Sequence, residues 1–361
     1  MRLLFLCKRY YTNKDLIEDR FGRLYHLPVG LCRRGDLINV IALDYRNPSV
    51  VEVRSDGVAF QTLPATPGKI LSVPSAVMRR VKAFAPDVIL ASGDSHIGFL
   101  GLLVAGRIGS KFVFDVYDYY PAFRGNRIPG FKAMFRKAVS NADLVLCASL
   151  PLFERLASLN TKRLLIENGV DRNLFKPEDM RLARESLGIP EDSVVIGYFG
   201  SINADRGPLL IEACRELRRE FPNLCLLMAG KARQVDLEAS WIRYLGELPQ
   251  ALLPKLIAAC DVVTLPYAND PFNSMTGACK IAEYLACEKP VVATRVAGHE
   301  AMFRDAPASL CDPNPLGMLT ALKQQAGLRQ IAKFPESLEW KFIAGMLWEH
   351  LRGLPRGKNA R

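Results

Sequence analysis

The sequence predicts an α/β protein built from two doubly wound, Rossmann-like domains. Short apolar runs that resemble buried strands alternate along the chain with amphipathic helical patterns. These runs form two sets, and the charged stretch 174–192, which we interpret as a linker, separates them. At 361 residues the chain is long enough for two domains of ordinary size. We expect the domains at 1–180 and 190–334, followed by a helical tail at 335–361.

The expected strands are short apolar runs bounded by turn residues. In the first domain they are Leu3–Leu6, Ile38–Ile41, Val88–Leu90, Phe112–Phe114, Leu144–Cys147 and Leu164–Ile166. In the second domain they are Val194–Phe199, Leu224–Met228, Ile242–Tyr244, Val262–Leu265 and Val291–Thr294. The tail contains Trp340 and Trp348 and predicts a closing helix.

The composition is that of a globular protein in a reducing compartment. About half of the residues (49%) are hydrophobic and 24% are charged, which excludes a disordered chain. The longest apolar run, Ile97–Gly106, is too short to span a bilayer, and the N-terminal pattern is not that of a signal peptide. Nine scattered cysteines indicate reduced thiols, so we expect a cytoplasmic protein. Neither cysteines nor histidines have metal-ligand spacing, so we expect no metal and no cofactor.

Positive charge is concentrated in the first half of the chain. Residues 1–190 carry 28 Lys and Arg against 18 Asp and Glu, a net charge of +10, whereas residues 191–361 carry 20 against 19. One interpretation is that this charge only promotes solubility. The other is that the first domain faces an anionic surface, such as acidic lipid head groups or a phosphorylated acceptor. Nucleic acid is not expected, because no nucleic-acid recognition motif accompanies the charge.

The most informative segment of the second domain reads PFNSMTGACKIAEYLACEKPVVAT. Thr276, Gly277 and Ala278 would form a loop at a helix start, where free backbone N–H groups favour an anion. Lys280 and Glu283 are three residues apart, so they share one helix face. We expect the loop amides and Lys280 to hold the phosphates of a nucleoside diphosphate, and Glu283 to accept hydrogen bonds from its ribose. The alternative is an ordinary helix–strand unit with exposed charges.

This segment resembles the donor-binding signature of the retaining glycosyltransferases of family 4. The Glu-Tyr-Leu-Ala run from Glu283 and the Pro-Val-Val run from Pro290 match the second half of the signature, whereas Met275 stands at its first glutamate. A subset of the family has a lysine before the Glu-Tyr pair, here Lys280. The Asn-Gly-Val-Asp run at 168–171 matches a second landmark, at the end of the first domain. The resemblance implies the GT-B fold, with two Rossmann-like doubly wound domains facing across a cleft. It also implies that the C-terminal helix in 335–361 crosses back to the first domain.

The family holds the donor diphosphate with cations that follow glycine turns. Gly200 matches the family glycine, but Ser201 replaces the arginine that usually follows it. Arg206 precedes a glycine where the family has a Lys-Gly pair, and we expect Lys280 to substitute for the missing arginine. Gly230 ends the next expected strand and belongs to the same donor-binding edge. The alternative for Arg206 is a solvated arginine at a plain strand–helix turn.

The resemblance also implies an acceptor site in the first domain. Gly22 stands where relatives have a glycine-rich loop facing donor and acceptor. Asp94 and His96 follow a buried strand, and relatives keep a histidine in this neighbourhood, near the transferred sugar. Asp118 lies at another strand end and is expected to contact acceptor hydroxyls; the alternative is helix capping.

These matches together imply a retaining glycosyltransferase of the hexosyltransferase type. It would move a sugar from a nucleoside diphosphate sugar to a bacterial surface glycan or lipid-linked acceptor, as in lipopolysaccharide or exopolysaccharide synthesis. The expected catalytic residues are Asp94, His96, Asp118, Arg206 and Lys280, with no metal. One alternative is a sugar-nucleotide 2-epimerase of the same fold, which needs carboxylates placed for proton abstraction. Another is a non-catalytic, membrane-associated protein that binds a sugar nucleotide.

The segment 124–137 reads RGNRIPGFKAMFRK, and its apolar stripe runs beside several cations. Phe131 and Phe135 belong to the stripe, and Arg136 and Lys137 to the basic face. This is the composition of an interfacial helix, which would give peripheral contact with the inner face of an anionic cell membrane. The alternative is a surface helix that buries its stripe on the sheet.

Overall fold

The computed structural model of the chain describes residues 1–11, 14–123, 128–270, 273–275, 277 and 279–355. Thr276 and Ala278 of the expected donor loop, and 124–127 of the basic segment, lie outside the described residues. The chain divides into two compact units, each with its own hydrophobic core. The first comprises Met1–Gly169, Met275–Gly277 and Trp340–Arg361, and the second comprises Val170–Ser274 and Ala278–Glu339.

Strands and helices alternate through the first unit, as the sequence predicts. Its strands are β1 Arg2–Lys8, β2 Tyr10–Tyr11, β3 Lys14–Asp15, β4 Leu37–Asp44, β5 Glu52–Ser55, β6 Val58–Pro64, β7 Val88–Ser92, β8 Lys111–Val116, β9 Leu144–Cys147 and β10 Arg163–Leu165. Its helices are α1 Arg23–Cys32, α2 Val73–Phe84, α3 Ser95–Ile108, α4 Phe131–Ser140, α5 Leu150–Arg155 and, from the tail, α12 Trp340–Arg352.

The first unit is built on an eight-stranded sheet with the order β10-β9-β8-β7-β1-β4-β6-β5. Neighbouring strands are parallel except in the β5–β6 pair. Most of these strands are apolar at nearly every position, as expected for a parallel sheet covered on both faces. Parallel pairing also places the carboxyl ends of the strands at one edge, which we call the first carboxyl edge. The loops that follow β1, β4, β6, β7 and β8 gather there.

The hairpin of β5 and β6 is an element that the sequence analysis did not predict. Its turn is Asp56-Gly57, and both residues have positive φ, 48° and 84°. Such turns match the right-handed twist of the flanking strands, which is why Asp-Gly favours hairpins. The turn signal was therefore present in the sequence. Strand β5 was missed because it is exposed and carries Glu52 and Arg54 in place of an apolar run.

The first unit contains a fully buried ion pair between Arg23 and Asp115. Arg23, the first residue of α1, donates to both carboxylate oxygens of Asp115, over 2.6 and 3.0 Å. Its Nη1 donates to the carbonyl oxygen of Ile166 and to Oδ1 of Asn168, each over 3.1 Å. Bidentate geometry and the added hydrogen bonds offset the cost of removing two charges from water. The pair thereby joins α1, β8 and the segment after β10.

The second unit repeats the alternation around a six-stranded sheet with the order β13-β12-β11-β14-β15-β16, in which all neighbours are parallel. Its strands are β11 Val194–Phe199, β12 Leu224–Ala229, β13 Ile242–Tyr244, β14 Val262–Leu265, β15 Val291–Thr294 and β16 Leu310–Cys311. Its helices are α6 Met180–Leu187, α7 Pro208–Leu217, α8 Leu253–Ala259, α9 Cys279–Ala286, α10 Ala297–Met302 and α11 Pro315–Leu328. Every strand expected here from the sequence is present.

The stretch 174–192, interpreted above as a linker, contains helix α6 and belongs to the second unit. Arg184 of α6 is buried and forms an ion pair with Asp261 over 2.7 Å. Its Nε also donates to the carbonyl oxygen of Ala259 over 3.0 Å. The charges that suggested a solvated linker therefore anchor α6 beside the start of β14.

The positions of Phe131 and Phe135 on α4 test whether the apolar stripe of the basic segment can enter a membrane. Phe135 is buried, with ring contacts to Phe114 and Tyr119 at 6.0 and 6.3 Å between centroids. Phe131 is half-buried, and its ring centroid lies 5.5 Å from that of His96. The expectation that this stripe inserts into a membrane is therefore wrong for Phe135, because the side chain belongs to the protein core. Among the described residues, no helix is both long enough and apolar enough to cross a bilayer.

Helix α12 packs on α1 within the first unit, so Gly30 provides a test of this contact. A Cβ at Gly30 would lie 2.4 Å from Cβ of Ala344. We expect Gly30→Ala to lower the free energy of unfolding by about 1–3 kcal/mol through overpacking, measured by urea denaturation. Gly106→Ala on α3 is the matched control, because no atom lies within 4 Å of its added Cβ. Alanine is the better helix former there, so this variant should gain up to about 1 kcal/mol. Equal effects of the two substitutions would contradict the α1–α12 packing.

Candidate anion-binding site of the second unit

Two glycine turns follow adjacent strands at the carboxyl edge of the second sheet. Gly200 follows β11 and Gly230 follows β12. A Cβ at Gly230 would lie 2.0 Å from the carbonyl oxygen of Gly200, and a Cβ at Gly200 would lie 2.1 Å from Cε of Lys280. The atoms close to Gly230 belong to the backbone, so only glycine fits at that position. The Gly200 turn is thus covered by the side chain of Lys280, whose Nζ would lie 2.7 Å from the same Cβ.

Arg206 and Lys280 converge on the ring of Tyr267. Cζ of Arg206 lies 4.2 Å from the ring centroid, and Nζ of Lys280 lies 5.9 Å from it. Nζ of Lys280 also donates to the hydroxyl of Tyr267 over 3.4 Å. Nη2 of Arg206 donates to Oδ1 of Asn273 over 3.0 Å. Within the described ranges, neither cation forms an ion pair with a carboxylate, so their positive charge is balanced only by an aromatic face and by neutral dipoles.

Two neighbouring groups respond to this positive potential. Burial opposes ionisation of Tyr267, yet Lys280 and Arg206 lower the pKa of its hydroxyl below the usual value. Burial, together with the same two cations, lowers the pKa of His299 to about 4. The ring of His299 lies 5.0 Å from that of Tyr267. An imidazole that stays neutral and a phenol that ionises more readily both indicate a pocket suited to negative charge.

The position of Tyr267 is set by β15. Thr294, the last residue of β15, accepts a hydrogen bond from the backbone N–H of Tyr267 over 3.0 Å. Its hydroxyl lies 2.7 Å from the carbonyl oxygen of Tyr267 and 3.2 Å from that of Leu265. Nδ1 of His299 contacts the carbonyl oxygen of Thr294 over 2.8 Å. The aromatic support of the two cations is therefore fixed to the sheet by buried hydrogen bonds.

Glu283 lies one helical turn beyond Lys280 and is buried. Oε1 of Glu283 accepts a hydrogen bond from Nε2 of Gln250 over 3.1 Å. Burial raises the pKa of Glu283 to about 7, although Lys280 and Gln250 favour the charged form. The interpretation of this helix as a unit with exposed charges therefore fails at Glu283. A buried carboxylate of this kind prefers a further hydrogen-bond donor.

Two further expected donor residues, Gly277 and Ser201, each form a hydrogen bond through the backbone carbonyl oxygen. Gly277 lies just before the described part of α9, and its carbonyl oxygen accepts a hydrogen bond from Nδ2 of Asn168 over 2.8 Å. Ser201 is exposed, and its carbonyl oxygen accepts from the hydroxyl of Tyr198 over 2.8 Å.

In the first unit, the expected acceptor residues form two polar pairs at the first carboxyl edge. Oδ2 of Asp94 lies 3.4 Å from Nζ of Lys8. Nε2 of His96 lies 2.6 Å from the hydroxyl of Tyr45, and burial lowers the pKa of His96. Asp118 follows β8 at the same edge and is half-buried. Among the described residues, no three His, Cys, Asp or Glu side chains lie close enough together to hold a metal ion.

Gly22 is the residue before α1, with a φ of 68° that favours glycine. A Cβ at this position would lie 2.9 Å from the ring of Tyr11. The contacts of Gly22 within the first unit are thus with the start of a helix and an aromatic side chain.

The structure brings together Gly200, Gly230, Arg206, Lys280 and Glu283, all proposed from the sequence. It adds four residues that the sequence analysis did not select: Gln250, Tyr267, Asn273 and His299. Only Tyr267 carried a usable signal, because an aromatic residue directly beyond a buried strand lies at the carboxyl edge of a parallel sheet.

Glycine turns and two cations at the carboxyl edge of a parallel sheet make this a candidate anion-binding site of a Rossmann-like α/β protein. Two family models match the chain: "Glycosyltransferase Family 4" over residues 23–174 and "Glycosyl transferases group 1" over residues 193–325. Together they cover more than three-quarters of the sequence. The chain belongs to the glycosyltransferases of family 4, an enzyme family.

Two curated relatives of the chain are both named as glycosyltransferases. The D-inositol 3-phosphate glycosyltransferase of Segniliparus rotundus is 30% identical over 148 residues, which are 37% of this chain and 32% of that protein. The protein of the same name from Corynebacterium urealyticum is 27% identical over 254 residues, 61% of this chain and 59% of that protein. The chain thus spans about a third to three-fifths of the length of these relatives.

Solved structures show the same fold over nearly the whole chain. Anabaena HepE in complex with UDP and glucose has a TM-score of 0.75 and 18% identity, covering 98% of this chain and 100% of that one. Sucrose-phosphate synthase from Thermosynechococcus elongatus has a TM-score of 0.74 and 16% identity, covering 98% and 99%. These likenesses establish the GT-B fold, with two Rossmann-like domains.

The raised pKa of Glu283 predicts how donor binding depends on pH. Because its pKa in the folded protein is about 7, the carboxylate is protonated below that pH and ionised above it. If the ionised form accepts the ribose hydroxyls, affinity for a nucleotide sugar should increase about tenfold between pH 6 and pH 8. The phosphates of a nucleotide sugar stay ionised across this range.

Isothermal titration calorimetry across this range measures the effect. Glu283→Gln keeps the shape of the side chain and removes the titration, so its affinity should be lower and nearly independent of pH. A wild-type profile as flat as that of Glu283→Gln would contradict a role for the carboxylate in donor binding.

Proposed function

We propose that this chain is a retaining glycosyltransferase whose second unit binds a nucleoside diphosphate sugar. The convergence of Arg206 and Lys280 on Tyr267, beside the Gly200 turn, carries the proposal. Two cations that form no ion pair with a carboxylate in the described part of the chain suit a diphosphate, which supplies the missing negative charge. The solved HepE complex with UDP and glucose supports a nucleotide sugar as the donor class.

Lys280 replaces the arginine that the family signature has at position 201. Its side chain covers the Gly200 turn, so its ammonium group lies beside the backbone from which that arginine would project. In this proposal Arg206 and Lys280 together neutralise the negative charge of the diphosphate. No cation is then needed at position 201, where this chain has an exposed serine.

Catalysis in this proposal is positioning together with stabilisation of the leaving group. Negative charge develops on the diphosphate as its bond to the sugar breaks, and Arg206 and Lys280 stabilise that charge. Fixed charges of this kind act without reorganisation at the moment of reaction. Glu283, oriented by Gln250, binds the ribose and thereby sets the position of the phosphates. The two side-chain cations supply the stabilisation in this scheme, and we expect no metal requirement.

The proposed acceptor is a hydroxyl-bearing glycan, either lipid-linked or part of a bacterial surface polysaccharide. Asp94 with Lys8, and His96 with Tyr45, present polar groups at the first carboxyl edge that can orient hydroxyls. A relative from Arabidopsis thaliana, named as part of a phosphatidylinositol N-acetylglucosaminyltransferase, is 23% identical over 90% of this chain and 74% of that protein. Its name supports a lipid-linked acceptor. We propose a cytoplasmic enzyme that works at the inner face of the membrane.

A panel of nucleotide sugars tests the proposed function directly. We expect one nucleoside diphosphate sugar among uridine, guanosine and adenosine derivatives to raise the melting temperature, because a ligand of the folded state stabilises it. Incubation with that sugar and no acceptor should leave it unchanged over the time of the assay. Rapid conversion to a second nucleotide sugar would instead identify an epimerase. A melting temperature unchanged by every member of the panel contradicts the proposal.

If Arg206 and Lys280 bind the diphosphate, replacing either should weaken the binding of ligands with phosphates more than the binding of ligands without them. Arg206→Met and Lys280→Met should each weaken binding of the nucleoside diphosphate by about 1.5–3 kcal/mol, the range for hydrogen bonds to charged groups. Binding of the bare nucleoside should hardly change. Calorimetry with both ligands provides the measurement.

Arg218→Met serves as the matched control for these variants. Arg218 also lies on an aromatic ring of the second unit, with Cζ 5.5 Å from the centroid of Trp241, but outside the site. Its replacement should leave both affinities unchanged. Equal losses for diphosphate and nucleoside in Arg206→Met and Lys280→Met would show that these residues are structural.

A further inference from the structure

The first carboxyl edge carries exposed aliphatic side chains that the proposed chemistry does not use. Leu71 is 94% exposed, in a 3-10 turn at Ile70–Ser72 between β6 and α2. Ile70 is exposed beside it, and so are Val50 after β4 and Ile128 before α4. We call these four residues the apolar rim. A soluble surface tolerates single exposed apolar residues, but a leucine held almost wholly in water at the tip of a turn is costly.

Topology places the rim at one edge of one sheet. Val50 follows β4, Ile70 and Leu71 follow β6, and Ile128 follows β8. These strands all run in the same direction. The rim residues therefore lie in loops that leave the sheet on the same side. The polar pairs of the proposed acceptor site lie at that same edge, where β1 ends and α3 begins.

Direct contacts connect the rim to the acceptor pairs. Nζ of Lys69 donates to the carbonyl oxygen of Pro48 over 2.8 Å, which ties the Ile70–Ser72 turn to the loop after β4. That loop begins with Tyr45, whose hydroxyl lies 2.6 Å from Nε2 of His96. The ring of His96 in turn contacts Phe131, at the start of α4. The backbone N–H of Phe131 donates to the carbonyl oxygen of Ile128 over 3.1 Å. The rim thus flanks the Tyr45–His96 pair.

Cations accompany the apolar side chains. Lys69 precedes Ile70 in the chain and Lys132 follows Ile128 by about one helical turn, and both are exposed. Arg46, next to Tyr45, is exposed and lies with Cζ 3.9 Å from the ring centroid of Tyr10. The sequence as far as residue 190 carries a net charge of +10. Exposed aliphatic side chains surrounded by cations complement an anionic bilayer, whose head groups are negatively charged and whose interior is apolar.

We propose that the apolar rim docks on an anionic lipid bilayer, with Ile70 and Leu71 entering the head-group region. The inference rests on the proposed function, because it names where a lipid-linked acceptor would meet the enzyme. Short aliphatic tips on separate turns suit a deformable lipid surface better than a rigid protein partner, which would need a continuous complementary patch. The Tyr45–His96 pair, between the inserted turn and α4, then faces the head-group layer that bears the acceptor sugar.

Vesicle sedimentation with the full chain tests the proposal. Wild-type protein should pellet with vesicles that contain phosphatidylglycerol, less so as salt rises, and poorly with pure phosphatidylcholine. Ile70→Gln combined with Leu71→Gln should lower the partition coefficient about tenfold by removing the buried aliphatic area. Lys69→Glu should lower it about fivefold or more, and only at low salt.

Two exposed leucines of the second unit provide matched controls. Leu316 and Leu328 on α11 are 72% and 62% exposed, and Leu316→Gln combined with Leu328→Gln should bind vesicles like wild type. Melting curves of all variants show whether they remain folded. Equal losses in the two double variants, or vesicle binding by Ile70→Gln/Leu71→Gln at the wild-type level, would refute the docking role.

Two further outcomes separate this proposal from its alternatives. If wild type stays in the supernatant with every vesicle, or if Ile70→Gln/Leu71→Gln turns a dimer into a monomer on gel filtration, the bilayer is the wrong occupant. Nucleotide-sugar binding should be the same in Ile70→Gln/Leu71→Gln and wild type. Vesicle binding without nucleotide-sugar binding by wild type would refute the proposed function and leave the docking surface standing.

Discussion

Parallel strand pairing is the constraint on which the arrangement of this protein depends. Because the strands of the second sheet all run one way, the segments after them end at a common edge. Gly200 after β11, Gly230 after β12 and Tyr267 after β14 therefore become neighbours although they are distant in sequence. The first sheet follows the same rule and gathers the loops that hold Asp94 and His96. The side chains at these edges differ, but the geometry that collects them is common to both sheets.

Arg206 and Lys280 of the second unit lie against the same aromatic ring and form no ion pair with a carboxylate among the described residues, which has an energetic cost. Like charges repel, and the repulsion is tolerated because the ring of Tyr267 lies against both and Asn273 accepts from one. Thr294 of β15 accepts a hydrogen bond from the N–H of Tyr267 and donates one to its carbonyl oxygen. The sheet therefore holds Tyr267 in the position that offsets the repulsion between the two cations. In contrast, Arg23 and Arg184 are neutralised by Asp115 and Asp261, as befits structural roles.

The sequence was sufficient for most of the fold because strand identity follows from local apolar runs. Every expected strand from Leu3–Leu6 to Val291–Thr294 is present, with boundaries shifted by a few residues at most. The failures lie where local signals conflict with tertiary contacts. The charges of α6 resembled those of a linker because their partner Asp261 is far away in the chain. The apolar stripe of α4 resembled a membrane face because the sequence does not show that Phe135 has a core to enter.

The sequence alone predicted candidate residues for binding a diphosphate and a ribose: the glycine turns, Arg206, Lys280 and Glu283. It did so because these residues are marked by their positions beside glycines, strand ends and helix starts, which are local properties. Only the tertiary structure decided that Arg206 and Lys280 meet on Tyr267, that Gln250 contacts Glu283, and that burial brings the pKa of Glu283 to about 7. Convergence and burial depend on contacts between segments far apart in the chain, and no local pattern encodes them.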